Sequence, residues 1–207
     1  MGRSKANDKF IKVIEGISIL LPMMFWVLIL FSFEEPFLAT VTLISAFIHE
    51  LGHILCILLM GKSFGIRGEI NGFRIKNSRI KSYGEEILIY LSGPLANVFC
   101  SVLFFVFSNF ATQDLSAIGL INLATGLSNL LPIRGYDGYG ALSALIKKQE
   151  LSNSILDALS ACSTALILAL CVFSLYLIDR YNGGYWIFAV FFASMIKEIK
   201  LGLDKCF

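Results

Sequence analysis

Two imidazoles and a carboxylate stand together in His49-Glu50-Leu51-Gly52-His53, and the chain has no other histidine. On a helix, residues four apart project from one face, so His49 and His53 can reach a single metal ion with Glu50 beside them. A metal there would activate water, and Glu50 is placed to act as its general base. The motif lies inside an apolar run, Phe37 to Met60, long enough to cross a bilayer. Ionisable groups in such a run are costly and usually functional. The alternative is a pair of buried histidines hydrogen-bonded to neighbouring helices.

A tetrahedral catalytic zinc takes three protein ligands and leaves one position open. With no third histidine, the third ligand is a carboxylate or a cysteine thiolate. The five cysteines form no CxxC or CxxH pair, and Cys56, Cys100, Cys162 and Cys171 sit in apolar runs as packing residues do. Asp137 stands in a bend, Asn129-Leu130-Leu131-Pro132-Ile133-Arg134-Gly135-Tyr136-Asp137-Gly138. Pro132 stops the preceding helix, and the glycines let the backbone turn back. Asp137 reads either as the third ligand or as the N-cap of a helix from Gly138 to Glu150.

The elements that carry these residues are membrane helices. The chain has 207 residues, 57% of them hydrophobic and only 15% charged, which excludes an ordinary soluble domain. Six apolar runs can be marked, near 17–33, 37–60, 87–110, 115–131, 155–178 and 185–196. The fourth carries Gly119, Asn122, Gly126 and Asn129, a pattern for burial among helices. If all six cross, every Lys and Arg except Arg180 falls on one side, which places both termini in the cytoplasm of a multi-pass cell-membrane protein. Asn71-Gly72, flanked by alternating residues, predicts a small cytoplasmic-side β-hairpin. The expected fold is an all-α polytopic membrane protein with about six transmembrane helices and that hairpin. It forms one membrane-embedded domain over 1–207, with its core at about 37–140. No basic block points to nucleic acid.

Three blocks together resemble the site-2 proteases, the intramembrane zinc metalloproteases that include the sporulation factor IVFB type. His49-Glu50-Leu51-Gly52-His53 matches the HExxH of that family. Ser92-Gly93-Pro94-Leu95-Ala96-Asn97 matches its G-P-x-x-N. Asn129, Pro132, Asp137 and Gly138 match its N-x-x-P-x-x-x-x-D-G. The resemblance implies one Zn2+ per chain held by His49, His53 and Asp137, with Glu50 as general base. It also implies that Asn129 and Asn97 handle the substrate backbone or the developing oxyanion. For Asn97, an amide bridging two helices is an equally good reading.

Many members of that family carry a PDZ domain between spans or a C-terminal CBS domain, and this sequence is expected to have neither. Gating is then expected from the core, from a regulatory membrane partner or from a first cut made elsewhere in the substrate. Arg134 and Gly135 stand where relatives are often richer in proline. The function implied is cleavage of transmembrane or membrane-proximal segments of a membrane protein or peptide, in regulated intramembrane proteolysis or pro-protein processing. The alternatives are a non-catalytic membrane scaffold or chaperone that binds transmembrane segments, and a metal-ion transporter. A transporter normally shows polar sites in paired repeats, which this chain lacks.

Overall fold

A computed structural model describes residues 24–62, 64–69, 72–77, 82–110, 115–181 and 185–206. Among them are seven helices and one two-stranded ribbon. In chain order these are α1 (Met24–Phe33), α2 (Pro36–Leu59), β1 (Phe64–Glu69), β2 (Gly72–Asn77), α3 (Tyr83–Ser108), α4 (Ser116–Asn129), α5 (Asp137–Lys148), α6 (Asn153–Tyr181) and α7 (Tyr185–Cys206). The basic N-terminal residues, including Arg3, Lys5, Lys9 and Lys12, lie outside the described residues, as does the start of the first apolar run.

Helix α2 opens on Pro36, whose missing N–H costs nothing in the first turn. Its buried side includes Val41, Ser45, His49, His53 and Ile57, one residue per turn along a stripe. Phe47, Leu51, Leu55, Leu58 and Leu59 point outward and are exposed. Polar groups inside and large apolar groups outside is the pattern that hydrocarbon surroundings favour.

Helix α3 returns antiparallel beside α2. Its start is capped by Ser82, whose Oγ accepts from the Glu85 N–H at 3.3 Å. Glu85 and Glu86 place negative charge in the first turn, where the helix dipole favours it. Lys62, just past α2, pairs with Glu85 and ties the feet of the two helices together. Between them, β1 and β2 pair antiparallel with Phe64 opposite Asn77 and Glu69 opposite Gly72. Gly72 is thus already in the second strand, opposite Glu69, and Asn71 lies outside the described residues.

The expected six crossings are not what the helices provide. Among the described residues, α2, α3 and α6 are long and apolar enough to cross a membrane. Helix α4 has 14 residues, about 21 Å at 1.5 Å per residue, against about 30 Å of hydrocarbon. Helix α7 is longer, but Lys197, Glu198 and Lys200 cut off its apolar stretch. Helix α1 is described over a short apolar stretch only, Met24–Phe33.

Helices α2 to α5 form one bundle around α3, while α6 and α7 pack on each other and meet the bundle chiefly through α5. Small residues set the spacing inside the bundle. A Cβ on Gly52 would lie 2.6 Å from the Ser92 carbonyl oxygen and 2.7 Å from Ala96 Cβ, so α2 and α3 touch backbone to backbone there. A Cβ on Gly126 would lie 2.9 Å from the Pro94 carbonyl oxygen and 3.1 Å from Asn97 Cβ. Replacing Gly126 with valine should therefore push α4 off α3. The expected cost is about 1–3 kcal/mol, read as a lower melting temperature in detergent; an unchanged melting temperature would show that this contact yields freely.

Candidate metal centre

The site is built where α2 and α3 are closest. His53 is six residues from the C-terminal end of α2 and Ile89 six from the start of α3, so both lie about 9 Å in from the ribbon end at 1.5 Å per residue. The His53 ring is fixed by its Nδ1, 2.7 Å from the Ile89 carbonyl oxygen. A carbonyl only accepts, so Nδ1 carries the proton and Nε2 presents a lone pair. Ser92 Oγ donates to the same carbonyl at 2.7 Å.

One turn deeper, His49 is fixed by Asn97. The Asn97 amide nitrogen lies 2.9 Å from the Ser45 carbonyl oxygen, which can only accept, so this contact sets which way the amide points. Asn97 Oδ1 then faces His49 Nδ1 at 3.0 Å. Nδ1 donates, and Nε2 of His49 also presents a lone pair. The Asn97 amide nitrogen lies 3.0 Å from Ser45 Oγ and 3.2 Å from Asn122 Oδ1 as well. Asn122 in turn donates to the Ile118 carbonyl at 3.0 Å. Asn97 and Asn122 are completely buried, and a buried amide network of this kind is stable only when its members are paired.

Asp137 arrives from another part of the chain. Helix α4 ends at Asn129, residues 130–136 turn, and α5 begins at Asp137. A Cβ on Gly138 would run into the Leu130 carbonyl, so only glycine lets the start of α5 fold back against the end of α4. The N-cap position of α5 is Tyr136, and no side chain caps the helix. Asp137 is thus the first residue of the helix and not its cap. Its carboxylate lies instead on the two imidazoles, with Oδ2 2.8 Å from His49 Nε2 and 3.2 Å from His53 Nε2.

The two Nε2 atoms are 3.2 Å apart. A tetrahedral zinc with bonds of about 2.0–2.1 Å spaces its ligands about 3.3 Å from one another. With both Nδ1 atoms protonated, the three facing atoms are all electron-pair donors. Asp137 Oδ2 is buried and has no hydrogen-bond partner among the described residues. A cation at the centre would resolve that crowding, and the donor set of two imidazoles and one carboxylate suits zinc. The three ligand atoms form a group able to hold a metal ion. Gly93 leaves the space for it, since a Cβ there would strike the His53 ring and lie 2.9 Å from His49 Cε1.

Glu50 follows His49 directly in α2, is half-buried, and is close enough for its carboxylate to interact with that of Asp137. Asn129 is placed differently. Its amide nitrogen donates to the Thr125 carbonyl one turn back, at 3.0 Å, and no hydrogen bond links it to the histidines or Asp137 among the described contacts. Asn97 sits behind His49, so this geometry matches the helix-bridging amide better than a group handling substrate. Sequence reasoning passed over Ser45 and the Ile89 carbonyl. Ser45 had a signal, since Ser45, His49 and His53 share one face at four-residue steps. The carbonyl had none, because a backbone atom leaves no mark in the residue type.

Removing the amide with Asn97→Ala should weaken zinc binding about 10- to 100-fold, the usual cost of losing the group that orients a ligating imidazole. Asn129→Ala should leave zinc affinity unchanged. Competition against a chelator of known affinity measures both, and equal affinities for wild type and Asn97→Ala would show that His49 keeps its orientation without the amide.

Neither a protein-family model nor a curated protein matches the chain. Among solved structures, it is similar to the site-2 protease from Methanocaldococcus jannaschii. The TM-score is 0.63 with 21% sequence identity, over 89% of this chain and 87% of that one. The chain shares the fold of that protease.

Proposed function

We propose that the chain is an intramembrane zinc metalloendopeptidase of the site-2 protease type. The observation that carries this reading is the convergence of His49 Nε2, His53 Nε2 and Asp137 Oδ2 within 3.2 Å of one another. Two helices able to cross a membrane, α2 and α3, meet at it, and the fold is that of a protease of this type.

His49, His53 and Asp137 would hold one Zn2+. When bound, zinc supplies Lewis acidity toward a scissile carbonyl and toward water. Glu50 takes the proton from the attacking water and returns it to the leaving amine. Asn97 holds His49 in the ligating tautomer through its Oδ1 contact. Asn129 lies at the end of α4, close in sequence to Asp137, and is a neutral donor for the substrate backbone or the developing oxyanion.

The substrate is a membrane protein or peptide cut within or beside a transmembrane segment. A helical segment hides its carbonyls in internal hydrogen bonds and must open locally before hydrolysis. Lys62 just before the ribbon and Arg67, Arg74 and Lys76 within its strands favour the cytoplasm for that side of the membrane. The site lies in the half of α2 and α3 nearest the ribbon, where water from that side reaches it over the shortest path.

The test compares wild type, Glu50→Gln and Asp137→Ala in detergent, by elemental analysis and by cleavage of membrane-segment substrates. The expected result is about one zinc per wild-type chain, retained in Glu50→Gln and lost or much reduced in Asp137→Ala. Cleavage should fall by at least about 100-fold in both variants. Cleavage unaffected by Glu50→Gln would remove the protease assignment, and a well-folded wild type that takes up no zinc would favour a non-catalytic scaffold.

A further inference from the structure

Asp137 is held on a short turn, and what fixes that turn is outside the bundle that carries the histidines. Ile133 is completely buried in a cluster with Ile167 and Cys171 of α6, against which Tyr136 also packs. Burial pushes the Tyr136 phenol up to about 12, so it stays neutral, and a hydrogen bond with Ser194 of α7 opposes the shift. Between these residues, Arg134 makes several polar contacts. Its backbone N–H donates to Ser163 Oγ at 2.7 Å. Its guanidinium donates to Glu198 Oε2 at 3.0 Å and also to Ser160 Oγ. Glu198 accepts from Thr164 through its other oxygen at 3.1 Å. The guanidinium carbon also lies 5.8 Å from the centre of the Tyr139 ring.

These contacts engage α6, α7 and the first turn of α5 with one side chain. The pair is little exposed, at 21% for Arg134 and 9% for Glu198. A partly buried ion pair is weak support for stability, because desolvation offsets much of the attraction. It does fix geometry, since a planar guanidinium bound at two nitrogens allows little freedom. A metal ligand needs that, because a shift of about 0.5 Å is enough to spoil a site. Gly135, next to Arg134, has φ of +99° and adds no stiffness of its own.

We infer that Arg134, paired with Glu198, is a positioning residue for Asp137 that makes the metal centre depend on α6 and α7 packing against the 130–136 turn. This rests on the metalloprotease reading. The test uses the full chain in detergent and zinc alone as the probe, with affinity measured by chelator competition. Arg134→Met should weaken zinc binding about 10- to 100-fold. Glu198→Gln should do the same in part, and Arg134→Lys should recover some of the loss by keeping the charge. The decisive comparison is Arg134→Met in an Asp137→Ala background, where it should lower residual affinity no further. An additive loss there would mean a general structural role and overturn the inference. So would a wild-type affinity in Arg134→Met. If Arg134→Met does not fold, Glu198→Gln and Arg134→Lys carry the same test. A wild type that binds no zinc overturns the metalloprotease reading along with this one, whereas zinc bound equally by wild type and by the Arg134 and Glu198 variants sinks only the positioning role.

Discussion

Three electron-pair donors from two distant parts of the chain are held within 3.2 Å of one another in an apolar bundle. Left alone, that arrangement is unfavourable, because no proton lies between the donors once each histidine gives its Nδ1 hydrogen away. Both hydrogens are given away to fixed acceptors, the Ile89 carbonyl and the Asn97 amide oxygen. The rest of the bundle follows from this constraint. The acceptors must lie on a helix that touches α2 closely, so Gly52 and Gly93 stand at the contact. The amide that accepts from His49 must itself be oriented, so Ser45 and Asn122 close around it.

The Gly93-Pro94-x-x-Asn97 block acquires a physical meaning from this geometry. Gly93 leaves room for the imidazoles, the Pro94 carbonyl meets Gly126 of α4, and Asn97 one turn on from Gly93 engages His49. A single face of α3 thus sets the tautomer of His49 and the approach of α4 together. Changing any one of the three residues should be felt by both.

The pairing of His49 with His53 was legible in the sequence because histidines are rare in apolar runs and their four-residue spacing is restrictive, whereas Asp137 was legible only as an acid in the bend that follows the fourth run. Whether Asp137 is ligand or cap could not be read from spacing alone, since an acid before a helix suits both; the structure puts its carboxylate on the two imidazoles and not on the helix N-terminus. The helices were legible too, but the number of crossings was not. Hydrophobicity reports an apolar environment, and burial among helices provides that as well as lipid does, so the short α4 with Gly119, Asn122 and Gly126 looked like a span. The ribbon was expected from Asn71-Gly72, yet its register follows strand pairing and places Gly72 opposite Glu69. In the sequence Arg134 was noticeable only for standing where relatives are often richer in proline. Its anchors, Ser160, Ser163 and Glu198, are 26 to 64 residues away, and no local pattern connects them.

In the proposed metal site, a carboxylate as third ligand is favoured by charge as much as by reach. A divalent ion held by neutral donors alone would leave two positive charges in a low-dielectric bundle, which is far more costly than burying a balanced group. In that proposed site Asp137 would supply one negative charge directly and Glu50 a second beside it, so that ion, ligand and base together would approach neutrality. A third histidine would satisfy the coordination count and fail this balance. The cost is that Asp137, ionised and 15% exposed on its side chain, must be kept in place when no ion compensates it. The turn that carries it is accordingly pinned by an opposite charge of its own, Arg134, three residues away and directed to the far side, onto Glu198.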